Sequence, residues 1–209
     1  EELCGTMRVL DMTQPMGLDD IYTSVNIFEK ITGRRRLSVE ELIENVSGEN
    51  FERPGLGRVR SERVPGLEAV AKYPKLMILG KPGAGKTTFL KHLALLCMKG
   101  RFQEDRIPLF ITLKDFAEAP NQPNLFSYLN QIFIKCGFIA NRNAGINAVK
   151  QLLKQGKLLV LLDGLDEVRE TDSTRILKQI QNFTIDYPMN QFVVTCRIAA
   201  REYTFEKFT

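Results

Sequence analysis

Short apolar runs alternate with amphipathic stretches from residue 75 onward. The runs have the length of β-strands, and the stretches have the spacing of helices that cover a sheet. Such alternation is typical of βαβ crossovers and a parallel sheet with both faces covered. The predicted strands are residues 75–79, 107–113, 158–162 and 191–195, and the predicted helices are residues 67–73, 86–99, 124–137, 143–154 and 172–184. The pattern therefore predicts an α/β fold.

The residues before this core carry a weaker pattern. Alternating β-branched residues predict a strand within 22–28, and a capping-box sequence predicts a short helix over 39–46. Glycine and proline cluster over 47–57, which indicates a linker. We therefore expect a small helical and extended N-terminal appendage with its linker over 1–57, followed by a larger α/β domain over 58–209.

Composition narrows the class of protein. The chain has 209 residues, of which 44% are hydrophobic and 26% are charged, so a globular domain is expected rather than a rod or a disordered chain. The net charge of +4 is too small to indicate a nucleic-acid module. The apolar runs are too short to span a bilayer, and no secretory signal is visible. Four scattered cysteines without metal-ligand spacing fit a reducing cytoplasm.

A glycine-rich loop carries the strongest chemical signal. Residues 80–87 match the pattern G-x-x-x-x-G-K-[ST] between a predicted strand and a predicted helix. Its glycines allow the backbone amides to form an anion cradle at a helix N-terminus. Lys86 is expected to reach the β- and γ-phosphates of a nucleoside triphosphate, and the Thr87 hydroxyl to bind Mg²⁺. The predicted nucleotide-binding residues are Gly80, Pro82, Gly83, Ala84, Gly85, Lys86, Thr87 and Thr88.

An acidic segment follows the most apolar strand. Asp163 ends that strand, at the sheet edge where α/β proteins bind ligands, and is expected to bind Mg²⁺ together with Thr87. Asp166 and Glu167 come next, and either could orient and deprotonate an attacking water. We favour Glu167 as the base, with Asp166 ordering the loop or the surroundings of the metal.

Arg197 comes just past the end of the last predicted strand, at the same edge of the sheet. Its guanidinium could sense the γ-phosphate and couple hydrolysis to conformation. The alternative is a surface ion pair without a role in the chemistry.

These motifs resemble those of the NACHT family of STAND-class signal-transduction NTPases, especially its bacterial and cyanobacterial members. The resemblance covers residues 22–209. Residues 80–88 are similar to the family's phosphate loop, residues 163–167 to its acidic motif, and residues 195–197 to its first sensor. The resemblance implies a Mg²⁺-dependent ATPase in which an inactive ADP form exchanges to ATP and then self-associates to activate an effector.

The resemblance also implies a parallel-sheet P-loop NTPase core with three αβα layers and the strand order 5-1-4-3-2. By the same resemblance, 58–209 is a NACHT-type nucleotide-binding domain that stops before the fifth strand and the lid. The lid, sensor and effector domains are expected to lie outside this chain, and adenine is the expected base.

Two other functions stay open from the sequence. The first is a P-loop ATPase that acts on nucleic acid. The mildly basic net charge, too small to indicate this by itself, and the run of arginines over 34–36 motivate it, although we do not expect nucleic acid as a partner. A scaffold that binds nucleotide with negligible turnover is the other alternative. Hydrolysis measured with and without DNA distinguishes all three.

Overall fold

The computed structural model describes residues 6–7, 16–17, 26–28, 63–135 and 142–198. In chain order the described elements are β1 (Thr6–Met7), β2 (Met16–Gly17), β3 (Asn26–Phe28), β4 (Arg63–Pro65), α1 (Gly66–Lys72), β5 (Lys75–Gly80), α2 (Lys86–Met98), β6 (Ile107–Thr112), α3 (Leu113–Ala117), α4 (Leu125–Lys135), α5 (Arg142–Lys154), β7 (Leu158–Asp163), a 3₁₀ turn (Leu165–Glu167), α6 (Glu170–Asp186) and β8 (Gln191–Arg197). The helix predicted over 39–46 and the linker predicted over 47–57 lie outside the described residues.

Four parallel strands form the main sheet in the order β5-β8-β7-β6. This order confirms the one expected for the first four strands, with β5 on the edge of the sheet as described. Two short antiparallel pairs, β1–β2 and β3–β4, lie outside this sheet. Of the strand predicted within 22–28, the structure describes β3 alone.

Apolar side chains cover both faces of the sheet and make three layers. On one face, Val70 of α1 and Leu90 of α2 belong to the same buried cluster as Leu161 of β7. On the other face, residues of α3 to α6 pack against alternate residues of β7 and β8, such as Leu162 and Val194. All six residues of β7 are buried, as the continuous apolar run predicts. The α/β fold with αβα layers is therefore confirmed.

The helices form because their apolar residues share one face. On α6, Ile176, Ile180 and Phe183 are buried at spacings of four and three residues. Glu170 and Asp172 lie in the first turn of α6, where a negative charge complements the helix dipole. Each fully buried Ile or Phe side chain stabilises the fold by about 1.5–3 kcal/mol relative to its exposed state.

Each of the four parallel strands ends one or two residues from its predicted end, and two of these differences change the interpretation of nearby residues. The strand predicted over 107–113 ends at Thr112, and Leu113 begins α3. Thr112 is the last residue of β6 that pairs with β7, and the turn into α3 buries Leu113 and Phe116 in the core. The second of these differences is at β8, which continues to Arg197 because Gly80, the last residue of β5, still pairs with Arg197. Arg197 is therefore the last residue of its strand rather than a residue beyond its end.

Buried polar side chains fix the opposite edge of the sheet. The Asn190 side-chain amide donates to Leu153 O at 2.7 Å, and its oxygen accepts from Leu158 N at 3.1 Å. The neighbouring Gln191 amide donates to Val70 O at 2.7 Å. These bonds tie the start of β8 to the ends of α5 and α1, which sets the position of the strand. Among the described helices, none is long and apolar enough to cross a membrane.

Candidate functional site

The carboxyl ends of the four parallel strands meet at one edge of the sheet. In the strand register, Gly80 lies opposite Arg197 and Thr112 lies opposite Asp163. The loop that matches the phosphate-binding pattern leaves this edge after β5, and the acidic segment leaves it after β7. The fold therefore brings the three predicted motifs to the same edge.

The loop between β5 and α2 depends on glycine. Gly83 has a φ of 74° and Gly85 a φ of 78°, and L side chains rarely adopt such angles. Ala84 N donates to Lys81 O at 3.2 Å, which closes a turn inside the loop. A side chain at Gly80 would approach the Ala84 side chain to 3.3 Å. The loop consequently folds tightly back over the end of β5.

Lys86 begins α2 and turns back onto this loop. Its ammonium donates to Gly80 O at 3.0 Å and to Lys81 O at 3.1 Å. Thr87, the next residue of α2, is exposed, and Thr88 is half-buried. The first turn of α2 holds no acidic residue, so the positive end of its dipole has no acidic side chain of its own helix beside it. Loop, ammonium and helix N-terminus together suit an anion such as a phosphate.

Asp163 is buried at the end of β7, with 7% of its surface exposed. The Thr195 hydroxyl donates to Asp163 Oδ1 at 2.6 Å. The same hydroxyl accepts from the backbone N–H of Gly164 at 2.9 Å. Thr195 belongs to the segment 195–197 that resembles the first sensor, but its contact with Asp163 was not expected from the sequence. The strand register could have found it, because Leu162 pairs with Val194 and the next residues of both strands are therefore neighbours.

Asp166 is held by Arg197 through both of its carboxylate oxygens. Arg197 Nε lies 2.7 Å from Asp166 Oδ2, and the backbone N–H of Arg197 donates to Oδ1 at 2.8 Å. The Asp166 side chain is 8% exposed, and that of Arg197 is 49% exposed. The ion pair that the sequence left as an alternative for Arg197 is therefore present, and its partner belongs to the acidic motif.

Glu167 ends the 3₁₀ turn and is exposed. Its side chain lies against Gly164, since a Cβ on Gly164 would stand 3.2 Å from Glu167 Cδ. Gly164 also has a φ of 75°, which favours glycine. Within the part of the chain that the structure describes, the Glu167 carboxylate has no hydrogen-bond partner. Glu167 and Asp166 thus have different surroundings although they are adjacent.

The pKa of the Cys196 thiol is changed by burial and by the charges around β8. Burial raises the pKa of its thiol to about 11, and the negative charge of Asp166 contributes to the rise. A hydrogen bond from the Arg197 backbone and the positive charge of Lys86 lower this pKa in part. The thiol therefore lies within the electrostatic reach of both a loop cation and an acid of the acidic motif.

The residues at this edge fit a nucleoside triphosphate with a divalent cation. The glycine loop and Lys86 suit the phosphates, and the oxygens of Thr87 and Asp163 are hard donors of the kind that Mg²⁺ prefers. Nowhere in the described ranges do three or more His, Cys, Asp or Glu residues gather as a metal cluster. A site with one carboxylate suits Mg²⁺, because this cation usually completes its shell with substrate phosphates and water.

A parallel sheet, a glycine loop that leads into a helix, and a buried carboxylate on another strand define a P-loop nucleotide-binding domain. The family model of the NACHT domain matches residues 75–208 of this chain. The chain therefore belongs to the NACHT family of P-loop NTPases, which confirms the resemblance seen in the motifs.

Two curated relatives extend this comparison. An uncharacterized WD repeat-containing protein of Nostoc sp. (strain PCC 7120) is 31% identical over 134 residues, which are 58% of this chain and 8% of that protein. NLR family CARD domain-containing protein 4 of Xenopus tropicalis is 29% identical over 109 residues, which are 51% of this chain and 10% of that protein. The chain thus spans about a tenth or less of the length of these relatives.

Two solved structures are similar to the chain at 16% sequence identity. One is the replication initiator DnaA bound to AMPPCP and single-stranded DNA, with a TM-score of 0.38 over 68% of this chain and 38% of that one. The other is PCH-2 of C. elegans, with a TM-score of 0.32 over 59% of this chain and 29% of that one.

Proposed function

We propose that this chain is the nucleotide-binding part of an ATP-hydrolysing signalling switch. In this proposal it binds ATP and ADP with Mg²⁺, and the bound nucleotide sets its conformation and its self-association. The observation that carries the proposal is the meeting of the glycine loop, Lys86 and Asp163 at one edge of the sheet. A domain of the NACHT family provides the context for the switch.

Phosphate binding is assigned to the loop and the start of α2. The left-handed backbone at Gly83 and Gly85 supports this role, as does the ammonium of Lys86, which already faces the loop carbonyls. The residues assigned to nucleotide binding are Gly80, Pro82, Gly83, Ala84, Gly85, Lys86, Thr87 and Thr88.

Thr87 and Asp163 are assigned to the metal. Mg²⁺ held there would supply positive charge to neutralise the charge that develops on the phosphate oxygens. The burial of Asp163 supports this assignment, because a buried carboxylate is costly unless a cation or hydrogen bonds compensate it.

Glu167 is assigned as the general base that accepts a proton from the attacking water. Both carboxylate oxygens of Asp166 already contact Arg197, so Asp166 is poorly placed to accept a proton from water. The exposed carboxylate of Glu167 lies beside the turn that follows β7, within reach of solvent at the nucleotide edge. Asp166 is assigned to ordering this turn through its contacts with Arg197.

Arg197 is assigned as the sensor of the γ-phosphate. Its Nε binds Asp166, and the rest of its guanidinium can bind a phosphate oxygen. Because Arg197 ends β8, a change in its partners would act on the strand and on the chain that follows it. In this way the bound nucleotide can change the conformation of the protein.

We further propose that residues 58–209 are this nucleotide-binding domain and that 1–57 are its appendage and linker. The lid, sensor and effector domains are proposed to be supplied elsewhere in the full protein, in the cytoplasm. The edge strand β5 offers a place where a further strand of the family fold can pair.

Three measurements on the full-length protein test the proposal. Calorimetry measures the binding of Mg·ATP and Mg·ADP, chromatography identifies the nucleotide retained after purification, and phosphate release is followed with and without DNA. Retained ADP and hydrolysis indifferent to DNA are expected. Strong stimulation by DNA would contradict the switch, and the absence of nucleotide binding would contradict the site as a whole.

A further inference from the structure

We propose that Thr195 is a positioning residue, whose hydroxyl orients the Asp163 carboxylate so that Oδ2 is the oxygen offered to the metal of a bound nucleotide. The inference rests on the proposed function and adds to it a residue outside the phosphate loop and the acidic motif. Thr195 lies on β8, two residues before Arg197.

The direction of the Thr195 hydroxyl is fixed by its two partners. The hydroxyl oxygen accepts from the Gly164 N–H at 2.9 Å, and its own hydrogen is donated to Asp163 Oδ1 at 2.6 Å. Thr195 is fully buried, so water does not compete for these bonds. The side chain therefore links one carboxylate oxygen to the first peptide of the following turn.

This arrangement gives the two carboxylate oxygens of Asp163 different surroundings. Oδ1 is taken by Thr195, and among the described residues Oδ2 has no hydrogen-bond partner. A carboxylate bound through one oxygen cannot rotate freely, so its other oxygen keeps a constant direction at the sheet edge. Asp163 and Gly164 are both held by the same hydroxyl, so metal binding and the shape of the acidic turn are coupled.

The contact comes from the fold rather than from neighbours in sequence. Thr195 and Asp163 lie 32 positions apart, and the register of β7 and β8 makes them neighbours. Valine has nearly the shape of threonine but cannot donate or accept a hydrogen bond. Thr195→Val thus removes the two bonds while it keeps most of the packing.

The test measures the Mg²⁺ dependence of nucleotide binding rather than activity. Fluorescent N-methylanthraniloyl-ADP is titrated into the full chain in EDTA and at increasing Mg²⁺ concentrations. For Thr195→Val we expect unchanged affinity in EDTA and about a tenfold higher Mg²⁺ concentration for half-maximal enhancement. Thr184→Val is the matched control, because the Thr184 hydroxyl is also buried but donates to Gln181 O on α6.

A second pair of variants covers the case in which Thr195→Val fails to fold. Thr195→Ser keeps the hydroxyl. Thr195→Ala differs from Thr195→Ser only because it lacks the hydroxyl. We expect the serine variant to need the wild-type Mg²⁺ concentration within about threefold and the alanine variant to need about tenfold more. Circular dichroism confirms that the two variants compared are equally folded.

The possible results separate this proposal from the proposed function. Wild-type Mg²⁺ dependence in Thr195→Val and Thr195→Ala overturns the positioning role. An equal loss of affinity with and without Mg²⁺ also overturns it, since that result indicates a general structural role. Failure of the wild-type chain to bind the nucleotide under any condition overturns the proposed function itself.

Discussion

Arg197 contacts Asp166 with its backbone and its side chain at the same time. The backbone N–H reaches Oδ1 at 2.8 Å, and Nε lies 2.7 Å from Oδ2. Because the backbone contact does not depend on the guanidinium, Asp166 stays bonded to β8 even if the side chain of Arg197 turns to another partner. This relationship separates the two acids of the motif, and it leads to the first two predictions.

Glu167→Gln should abolish hydrolysis and preserve nucleotide binding. Removal of a general base typically costs about 10²–10⁴-fold in rate, whereas the phosphate loop and Asp163 are untouched. Single-turnover hydrolysis and a nucleotide titration measure the two effects separately.

In Asp166→Asn we expect residual turnover and reduced stability, because this variant weakens the contacts with Arg197. If Asp166→Asn alone blocks turnover in a folded protein, the two roles are reversed.

Arg197→Gln should destabilise the protein only slightly. The guanidinium is half exposed, so its ion pair with Asp166 is screened by solvent and contributes about 1 kcal/mol or less. Urea denaturation of the single variants and of the double variant with Asp166→Asn measures the coupling. A coupling well above this value would show that the pair is a main support of the fold. An unchanged ratio of ATP to ADP affinity in Arg197→Gln would contradict the sensor role.

Much of the fold can be predicted from the sequence because its strands are apolar runs of strand length. The run over 158–162 becomes the fully buried β7, and the glycine pattern falls between β5 and α2 as expected. Strand ends are less predictable, since pairing partners rather than local residues decide them. Gly80 extends β8 as far as Arg197, which no local pattern reveals.

The contacts of the site are harder to predict than its residues. The motif identifies Asp163, but only the register of β7 and β8 brings Thr195 to it. In the same way, Asp166 and Glu167 have equivalent carboxylates in sequence terms. Their difference arises because the 3₁₀ turn directs Asp166 to Arg197 and leaves Glu167 exposed.

Lys86→Ala should remove most of the affinity for Mg·ATP. The substitution deletes the ammonium at the phosphate loop, and charged hydrogen bonds of this kind contribute about 1.5–3 kcal/mol each. We expect a loss of at least about tenfold in a calorimetric titration. Lys81→Ala is the matched control, since it removes the same charge from an exposed position of the same loop. Equal losses in both variants would indicate a general effect of charge instead of a specific contact.

Gly85→Ala should destabilise the loop by strain alone. Gly85 has a φ of 78°, and a Cβ built there meets no atom within 4 Å, so steric contact adds nothing. The left-handed conformation costs an L-residue about 1–2 kcal/mol. Gly85→Asn should cost less, because asparagine tolerates this region better. Thermal denaturation in the absence of nucleotide measures both variants, and equal stability of wild type and Gly85→Ala would show that the loop adopts another conformation in solution.

The stability of the protein should fall between about pH 9 and pH 11 because of Cys196. Burial, with a contribution from Asp166, raises the thiol pKa from 9.0 to about 11 in the folded state. Below pH 9 the thiol is protonated in both states, so its contribution is fully present. Between the two values the unfolded chain releases the proton and the folded chain retains it, which favours unfolding.

The expected loss is on the order of 2 kcal/mol, which corresponds to the difference between the two pKa values. Urea denaturation at pH 8, 9, 10 and 11, the range set by that shift, measures the loss for the wild type and for Cys196→Ala. The alanine variant should show a shallower decline, whatever its stability at pH 8, since it has no thiol to titrate. Ile180→Val controls for lost core volume and should keep the wild-type slope. Parallel declines in the wild type and Cys196→Ala would show that other groups cause the alkaline destabilisation.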